Sequence, residues 1–217
     1  MIVVVGGLKG GAGKSTVATN LTVMRSKPGD VLLVDADEQE TSKDFTNLRT
    51  EELKSNGGAG YTCVALSGQL VRTQVMRMAG KYDDVIIDVG GRDTTSQRAA
   101  LVIADVVLVP FVPRSFDVWT IGAVAALIEE VRPVNPRLKA MCFINRADPR
   151  GQDNSDTAEL LRETKGIEFI PVSLGSRKSF ANASARGLAV VEVKPSDPKA
   201  IEEIEALYNY VFRPTKR

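Results

Sequence analysis

Histidine is absent from this chain of 217 residues. Imidazole acid–base catalysis, a Ser-His-Asp triad and histidine metal ligation are therefore excluded. Cysteine is nearly absent too. Cys63 and Cys142 lie far apart, each inside an apolar segment, so they read as buried, inert thiols suited to a reducing cytosol. They lack the arrangement an iron–sulfur cluster needs. Net charge is only +1, which gives no global case for nucleic-acid or membrane binding. No apolar run approaches the length of a transmembrane helix. Met1 leads straight into a strand pattern without the basic and long apolar regions of a signal peptide, so a cytoplasmic protein is expected. Repeats, low-complexity tracts and linkers are missing as well, which predicts one domain over residues 1–213 and a short basic tail at 214–217.

What is present is ordinary in amount and uneven in placement. Apolar residues make up 43% and charged residues 25%, enough for one sizeable core in a chain of this length. Residues 1–131 carry 13 basic and 16 acidic side chains, whereas residues 132–217 carry 15 and 11. The skew permits a basic patch in the C-terminal half; a solvated mixed-charge surface explains it equally.

Apolar runs of strand length alternate with helical patterns along the whole chain. Strands are expected at 2–5, 31–34, 61–66, 85–88, 106–109 (closed by Pro110), 138–144 and 168–171. Helices are expected at 15–24, 41–54, 69–78, 96–104, 119–131, 155–163, 178–186 (ended by Gly187) and 197–212. In the helix at 69–78, Leu70, Val71, Val75 and Met78 are expected to face inward. Near-continuous apolar strands in this alternation predict a three-layer α/β/α domain with a mostly parallel sheet. Ligands of such sheets gather beyond the strand C-terminal ends. The segments following Val5, Val34, Ile87 and Ile144 all fall there.

The first of these ends is the most informative. Gly6-Gly7-Leu8-Lys9-Gly10-Gly11-Ala12-Gly13-Lys14-Ser15-Thr16 joins a strand to a helix, the context in which backbone N–H groups cradle phosphate. Lys14 would bring a point charge to the β- and γ-phosphates, and the Ser15 hydroxyl can ligate Mg²⁺. The usual phosphate-loop spacing requires glycine at position 8, where this chain has leucine, and a second lysine stands at position 9. This run resembles the deviant Walker A motif of the ParA/MinD family of dimerising ATPases, and the resemblance spans essentially the whole chain.

The resemblance implies a P-loop fold that binds ATP and Mg²⁺ through Gly10, Gly11, Ala12, Gly13, Lys14, Ser15 and Thr16. It implies that Lys9 reaches across a dimer interface to the partner's nucleotide; otherwise Lys9 is a solvated loop charge. Asp88 ends a strand as a Walker B carboxylate does and would hold the metal with Ser15, unless it only caps a turn. Asp35-Ala36-Asp37 is similar to switch I, which makes Asp37 a contact of the Mg²⁺ shell and the attacking water and leaves Asp35 more structural. Here Glu38-Gln39 follows, where the family usually has Pro-Gln. Val89-Gly90-Gly91-Arg92-Asp93 stands where switch II does, its glycines free to respond to a γ-phosphate. Asn145 and Arg146 look like the adenine-side segment, with Pro171 to Leu174 closing the other side.

For the protein as a whole, the resemblance implies a homodimer when ATP is bound, nonspecific DNA binding, and a ParB-like or adaptor protein that stimulates hydrolysis. Such a nucleoid-associated ATPase partitions a plasmid or chromosome, or positions other cargo. Arg177, Lys178, Arg186, Lys199, Arg213, Lys216 and Arg217 are candidates for DNA phosphate contacts. Phe116 and Trp119 are core residues or anchors at a partner surface. Three readings compete: a MinD-like membrane-positioning ATPase, a metabolic P-loop enzyme acting on a small molecule, and a binding module that holds ATP without hydrolysing it. The last helix opposes the first, because Glu202, Glu203 and Glu205 flank its apolar face and anionic lipid would repel them. No stable membrane association is expected.

Overall fold

Seven parallel strands in the order β3-β2-β4-β1-β5-β6-β7 form the sheet, in a computed structural model that describes residues 1–92, 94–113, 118–148 and 152–212, with only the backbone of 118 and 119. They are β1 (Ile2–Val5), β2 (Val31–Ala36), β3 (Thr62–Ala65), β4 (Asp84–Val89), β5 (Val106–Phe111), β6 (Lys139–Ala147) and β7 (Glu168–Gly175). Between and after them run α1 (Lys14–Arg25), α2 (Thr41–Glu52), α3 (Leu70–Met78), α4 (Thr95–Ile103), α5 (Val118–Val131), α6 (Asp153–Glu163), α7 (Lys178–Ser184) and α8 (Pro198–Val211).

Side chains alternate across each strand, and the two faces bury separate cores. Val4, Val34, Ile87 and Val107 pack with residues of α3, α4, α5 and α6. Val3, Val5, Leu33, Ile86 and Leu108 pack with Val17 and Leu21 of α1 and with Ala200, Ile204, Leu207 and Val211 of α8. The apolar face of α8 is thus part of the core. Its N-terminus is capped by Asp197, whose carboxylate accepts from Ala200 N at 3.2 Å, with Pro198 in the first turn.

The period-two alternation also decides where the strand-end polar residues point. Asp35 shares its face with Leu33, Asp88 with Ile86, and Asn145 with Phe143. All three therefore lie on the α1 side. Asp35 and Asp88 are direct neighbours in register, and Val5 pairs with Asp88 on the other side.

Several expectations need correction. Leu70 is not inward but 53% exposed; Val71 and Val75 form the buried face, with Met78 packed at its margin. A nine-residue helix at the sheet's end has room for only a narrow apolar stripe, and Leu70 sits in its first turn, off that stripe. Strand β5 does not stop before Pro110 but continues to Phe111. Leu108 O accepts from Gly6 N, so the polar groups of Leu108 and, two residues on, of Pro110 face the β1 side. By Pro110, β1 has already turned away, and the missing N–H leaves no ladder bond unmade. β6 and β7 also run longer than expected, which moves Asn145 and Pro171 from strand ends into strands.

Gly187 does end the α7 segment, with φ +65 and Leu188 N bonded to Ala183 O. It is further required by packing, since a Cβ there would lie 2.2 Å from Arg49 N of α2. The expected tail at 214–217, Arg213, Asp93 and Phe116 lie outside the described residues, as does the Trp119 side chain.

Candidate functional site

The C-terminal ends of β1, β2 and β4 open onto a groove of about 680 Å³, bordered by Gly10, Lys14, Ser15, Asp37, Gly91 and Arg146 among others. Gly10, Gly11 and Gly13 of the loop that follows β1 line it. Gly13 has φ +85, and a Cβ on it would lie 2.4 Å from Asn145 Nδ2, so this position has room only for glycine. Helix α1 starts at the next residue, its first N–H groups lacking intrahelical partners and facing the groove end of the sheet. That is an anion site by construction. Lys14 is 6% exposed, and its Nζ donates to Lys9 O at 2.8 Å, so the ammonium arches back over the loop. Burial lowers its pKa, while Asp88 and then Asp37 oppose that shift.

Two aspartates lie beneath and beside this cation. Asp88 is completely buried. Its Oδ2 accepts from Ser42 Oγ at 2.7 Å, and its Oδ1 has no hydrogen-bond partner. Burial pushes its carboxyl up to about 7 against the favourable hydroxyls of Ser15 and Ser42. Asp35, its neighbour, is tied down by backbone donors: Asp37 N at 3.1 Å and Lys43 N at 2.8 Å. Asp37 is half-buried at the groove wall, where a Cβ on Gly90 would lie 3.3 Å from its Oδ1.

Only two non-glycine residues among those described have positive φ, Glu40 at 47° and Arg146 at 54°. Glu40 stands between the groove residues Gln39 and Thr41, and Arg146 sits at a bulge between Asn145 and Ala147. Left-handed backbone disfavours such residues by about 1–2 kcal/mol and clusters at working sites. The bulge places Arg146 on the groove and on two adjoining cavities. One, about 220 Å³, lies between Gly13, Thr16, Asn145, Gly175 and Phe180; the other, about 510 Å³, borders Lys9, Val112 and Asp148.

The CobQ/CobB/MinD/ParA nucleotide binding domain matches residues 2–190. The chain belongs to this family. Among curated ParA/MinD-type relatives, the maintenance of carboxysome distribution protein A of Halothiobacillus neapolitanus is 28% identical over 210 residues, 96% of this chain and 94% of that protein. Protein ParA of Rhizobium radiobacter is 25% identical over 225 residues, 98% of this chain and 96% of its own. The fold is shared with an McdA variant of Cyanothece solved as an ATP complex, with a TM-score of 0.79 at 15% identity over 100% of this chain and 97% of that one.

Within this ParA/MinD-family fold, most predicted residues converge. Gly10, Gly11, Gly13, Lys14, Ser15, Thr16 and Asp37 border the groove, and Lys9 borders the adjoining cavity. Ala12 turns its side chain to the back of the loop. Asp88 lies below the groove rather than on its surface. Asn145 does reach the smaller cavity, but its amide nitrogen is bonded to Ala12 O at 2.7 Å, which makes it a brace for the loop. Pro171 is not brought to the site. It is exposed on edge strand β7, where the register against β6 slips between Phe169 and Ser173, and Leu174, Gly175, Ser176 and Arg177 wall the cavity instead. The extended β7 accounts for this displacement.

The basic candidates divide. Arg177 makes a two-pronged pair with Glu203 of α8, and Arg186 pairs with Glu52 of α2. Lys178 and Lys199 are exposed, while Lys216 and Arg217 lie outside the described residues. Ser42 and Gln97 escaped the motif reading. Both are buried polar residues in helices that look unremarkable in sequence; Ser42 follows the switch I resemblance by three residues, and that nearness is the one signal that points to it.

Proposed function

We propose that the protein is an ATP-dependent, dimerising ATPase switch that positions or partitions cargo by nonspecific DNA binding, with hydrolysis stimulated by a partner protein. The observation that carries this reading is the buried, unpartnered Asp88 Oδ1 directly under the Lys14-Ser15 start of α1. An orphaned carboxylate oxygen beside a hydroxyl, below an anion cradle, fits a hydrated Mg²⁺ accompanying a nucleotide triphosphate. Ser15 and Asp88 are the residues that would hold this ion, whose charge would offset that on the β- and γ-oxygens.

The protein's own groups do the remaining work. The N–H groups of residues 10–16 bind the phosphate chain, and Lys14 exchanges its bond to Lys9 O for phosphate oxygens. Asp37, at the wall beside Gly90, orients the attacking water. Lys9 crosses to the nucleotide of a second copy of the chain. Asn145 braces the loop from below, and the cavity between Gly13 and Phe180 takes the base. Arg146, held at the junction of three cavities, supplies a second positive charge near the nucleotide. The roles of relatives named for carboxysome distribution and for ParA support a cargo-positioning function. The burial of the α8 apolar face favours DNA over lipid as the surface used.

The test is binding to a random-sequence DNA duplex with ATP, with ADP and without nucleotide, over a salt series. Binding only with ATP, weakening as salt rises and lost in Lys14→Ala, is expected. Equal binding in all three states overturns the switch. Absence of DNA binding despite ATP binding sends the reading to liposomes and small-molecule acceptors.

A further inference from the structure

Gln97 lies in the first turn of α4, buried on the face of the sheet opposite α1. With its amide nitrogen turned toward the nearby acceptors, Nε2 donates to Gly7 O at 3.2 Å and to Gly90 O at 3.3 Å. One carbonyl belongs to the phosphate loop as it leaves β1. The other belongs to the segment leaving β4. Those strands are neighbours whose ladder runs to Val5 and Asp88, so Gln97 links the two chains just beyond their last paired residues. A primary amide carries two N–H donors, which matches two carbonyls side by side.

This link has a geometric consequence. A peptide unit is planar and trans, so its C=O and N–H point in opposite directions. Fixing Gly90 O on the α4 side turns the Gly91 N–H away from Gln97. Gly91 borders the groove, and its contact with the loop is so close that a Cβ would lie 2.6 Å from Gly10 N and 2.8 Å from the Lys9 carbonyl carbon. The Lys14 ammonium reaches that same Lys9 carbonyl. Gly91 therefore stands at the end of the groove reached by the lysine charge, far along the loop from the start of α1.

We infer that Gln97 is a positioning residue that ties residues 89–91 to the phosphate loop and aims the Gly91 N–H at the third phosphate, thereby setting the preference for ATP over ADP. The inference rests on the nucleotide reading above. Gln97 touches no reacting atom; it acts through the Gly90–Gly91 peptide. A diphosphate leaves that N–H without an anionic acceptor, whereas a triphosphate supplies one.

The experiment measures the affinities of ADP and of a non-hydrolysable ATP analogue, each with Mg²⁺, by calorimetry, together with thermal melting. The proteins are the full chain, Gln97→Met, which keeps the length and loses both donors, and Gln97→Glu, which sets an anion against two carbonyls. In a folded variant, ADP affinity should stay within about twofold while analogue affinity falls roughly tenfold, the scale of one hydrogen bond to a charged group. An unchanged ATP-to-ADP ratio in either folded variant overturns the inference, as does an equal loss for both nucleotides. If neither variant folds, the link serves stability and not positioning, and the inference also fails. A wild-type chain that binds neither nucleotide strikes the nucleotide reading itself and takes this inference with it.

Discussion

Strand β4 carries a buried aspartate near each end, and the two are in opposite condition. Asp84, at the N-terminal end, is paired with Arg25 at 2.5 Å and with the Met1 ammonium at 3.1 Å. Asp88, at the C-terminal end, has one oxygen on Ser42 and the other on nothing. Residue type, strand and burial are the same. The difference is the end of a parallel sheet on which each sits. At the N-terminal ends, the fold closes its polar groups against one another. At the C-terminal end of β4 it leaves one carboxylate oxygen open, although neighbouring Asp35 is held by backbone donors, and an unmet buried acceptor costs about 1–3 kcal/mol. Such a debt persists where a ligand is the missing partner.

Exchanging each carboxylate for its amide should separate the two roles most sharply. Asp88→Asn should lower Mg²⁺-dependent ATP hydrolysis roughly 100-fold, since the metal loses a charged ligand. The same change should raise the stability of the ligand-free protein at pH 8 by roughly 1–3 kcal/mol, because a buried carboxylate with one unmet oxygen is gone and burial outweighs its attraction to Lys14. Asp84→Asn should do the reverse, with hydrolysis within about threefold and stability down by roughly 1–3 kcal/mol, less than a fully buried pair because Arg25 is partly exposed. Urea unfolding and a phosphate-release assay read both. Loss of stability in Asp88→Asn would mean that Asp88 is satisfied like Asp84.

The comparison also has a pH signature. In the folded protein Asp88 titrates at about 7, above the ordinary carboxylate range. The native state therefore holds a proton that the unfolded chain has released, and stability from this group is present below about pH 4 and lost as pH rises through 7. Between pH 5 and pH 8 the ligand-free wild type should lose more stability than Asp88→Asn, by roughly 1–3 kcal/mol. Parallel pH profiles of the two proteins would show that Asp88 titrates as an exposed carboxylate.

A backbone version of the same contrast comes from Gly13. Gly13→Ala forces a Cβ into Asn145 at a positive φ, which should weaken nucleotide affinity roughly tenfold or more by displacing the loop from its brace. Wild-type affinity in this variant would show that the loop does not depend on Asn145.

How much of this was legible in sequence follows from the range of each interaction. The phosphate loop is a contiguous run whose residue types are dictated by one ligand, and Asp35 and Asp88 end apolar strands, so local pattern placed them. The alternation of strand and helix likewise revealed the parallel sheet. Strand length was less legible. Pro110 and Pro171 look like terminators, yet one faces the side where β1 has turned off and the other sits on an edge, and only the assembled sheet shows this. The misplacement of Pro171 follows directly. Gln97, Ser42 and the bracing contact of Asn145 were illegible because their partners are remote in sequence: Ser42 lies 46 residues from Asp88, and Asn145 lies 133 from Ala12. Their chemistry is ordinary; the contact is what gives it meaning.

The smallest predicted effect carries the contrast between satisfied and available groups to the surface. Arg186 and Glu52 form an ion pair with side chains 53% and 38% exposed, so Arg186→Ala should change stability by less than about 0.5 kcal/mol. Its effect on DNA is the sharper reading. A cation already neutralised by a carboxylate releases few counterions on meeting a phosphate, whereas exposed Lys178 and Lys199 would each contribute close to a full contact. Lys178→Ala or Lys199→Ala should reduce the slope of log affinity against log salt by roughly 0.9 per lost contact, and Arg186→Ala should leave it nearly unchanged. An equal fall in slope for Arg186→Ala would mean that DNA opens the Glu52 pair. Pairing would then mark a structural residue in the interior, as at Asp84, but not on the surface, where solvent makes the exchange of one anionic partner for another nearly free of penalty.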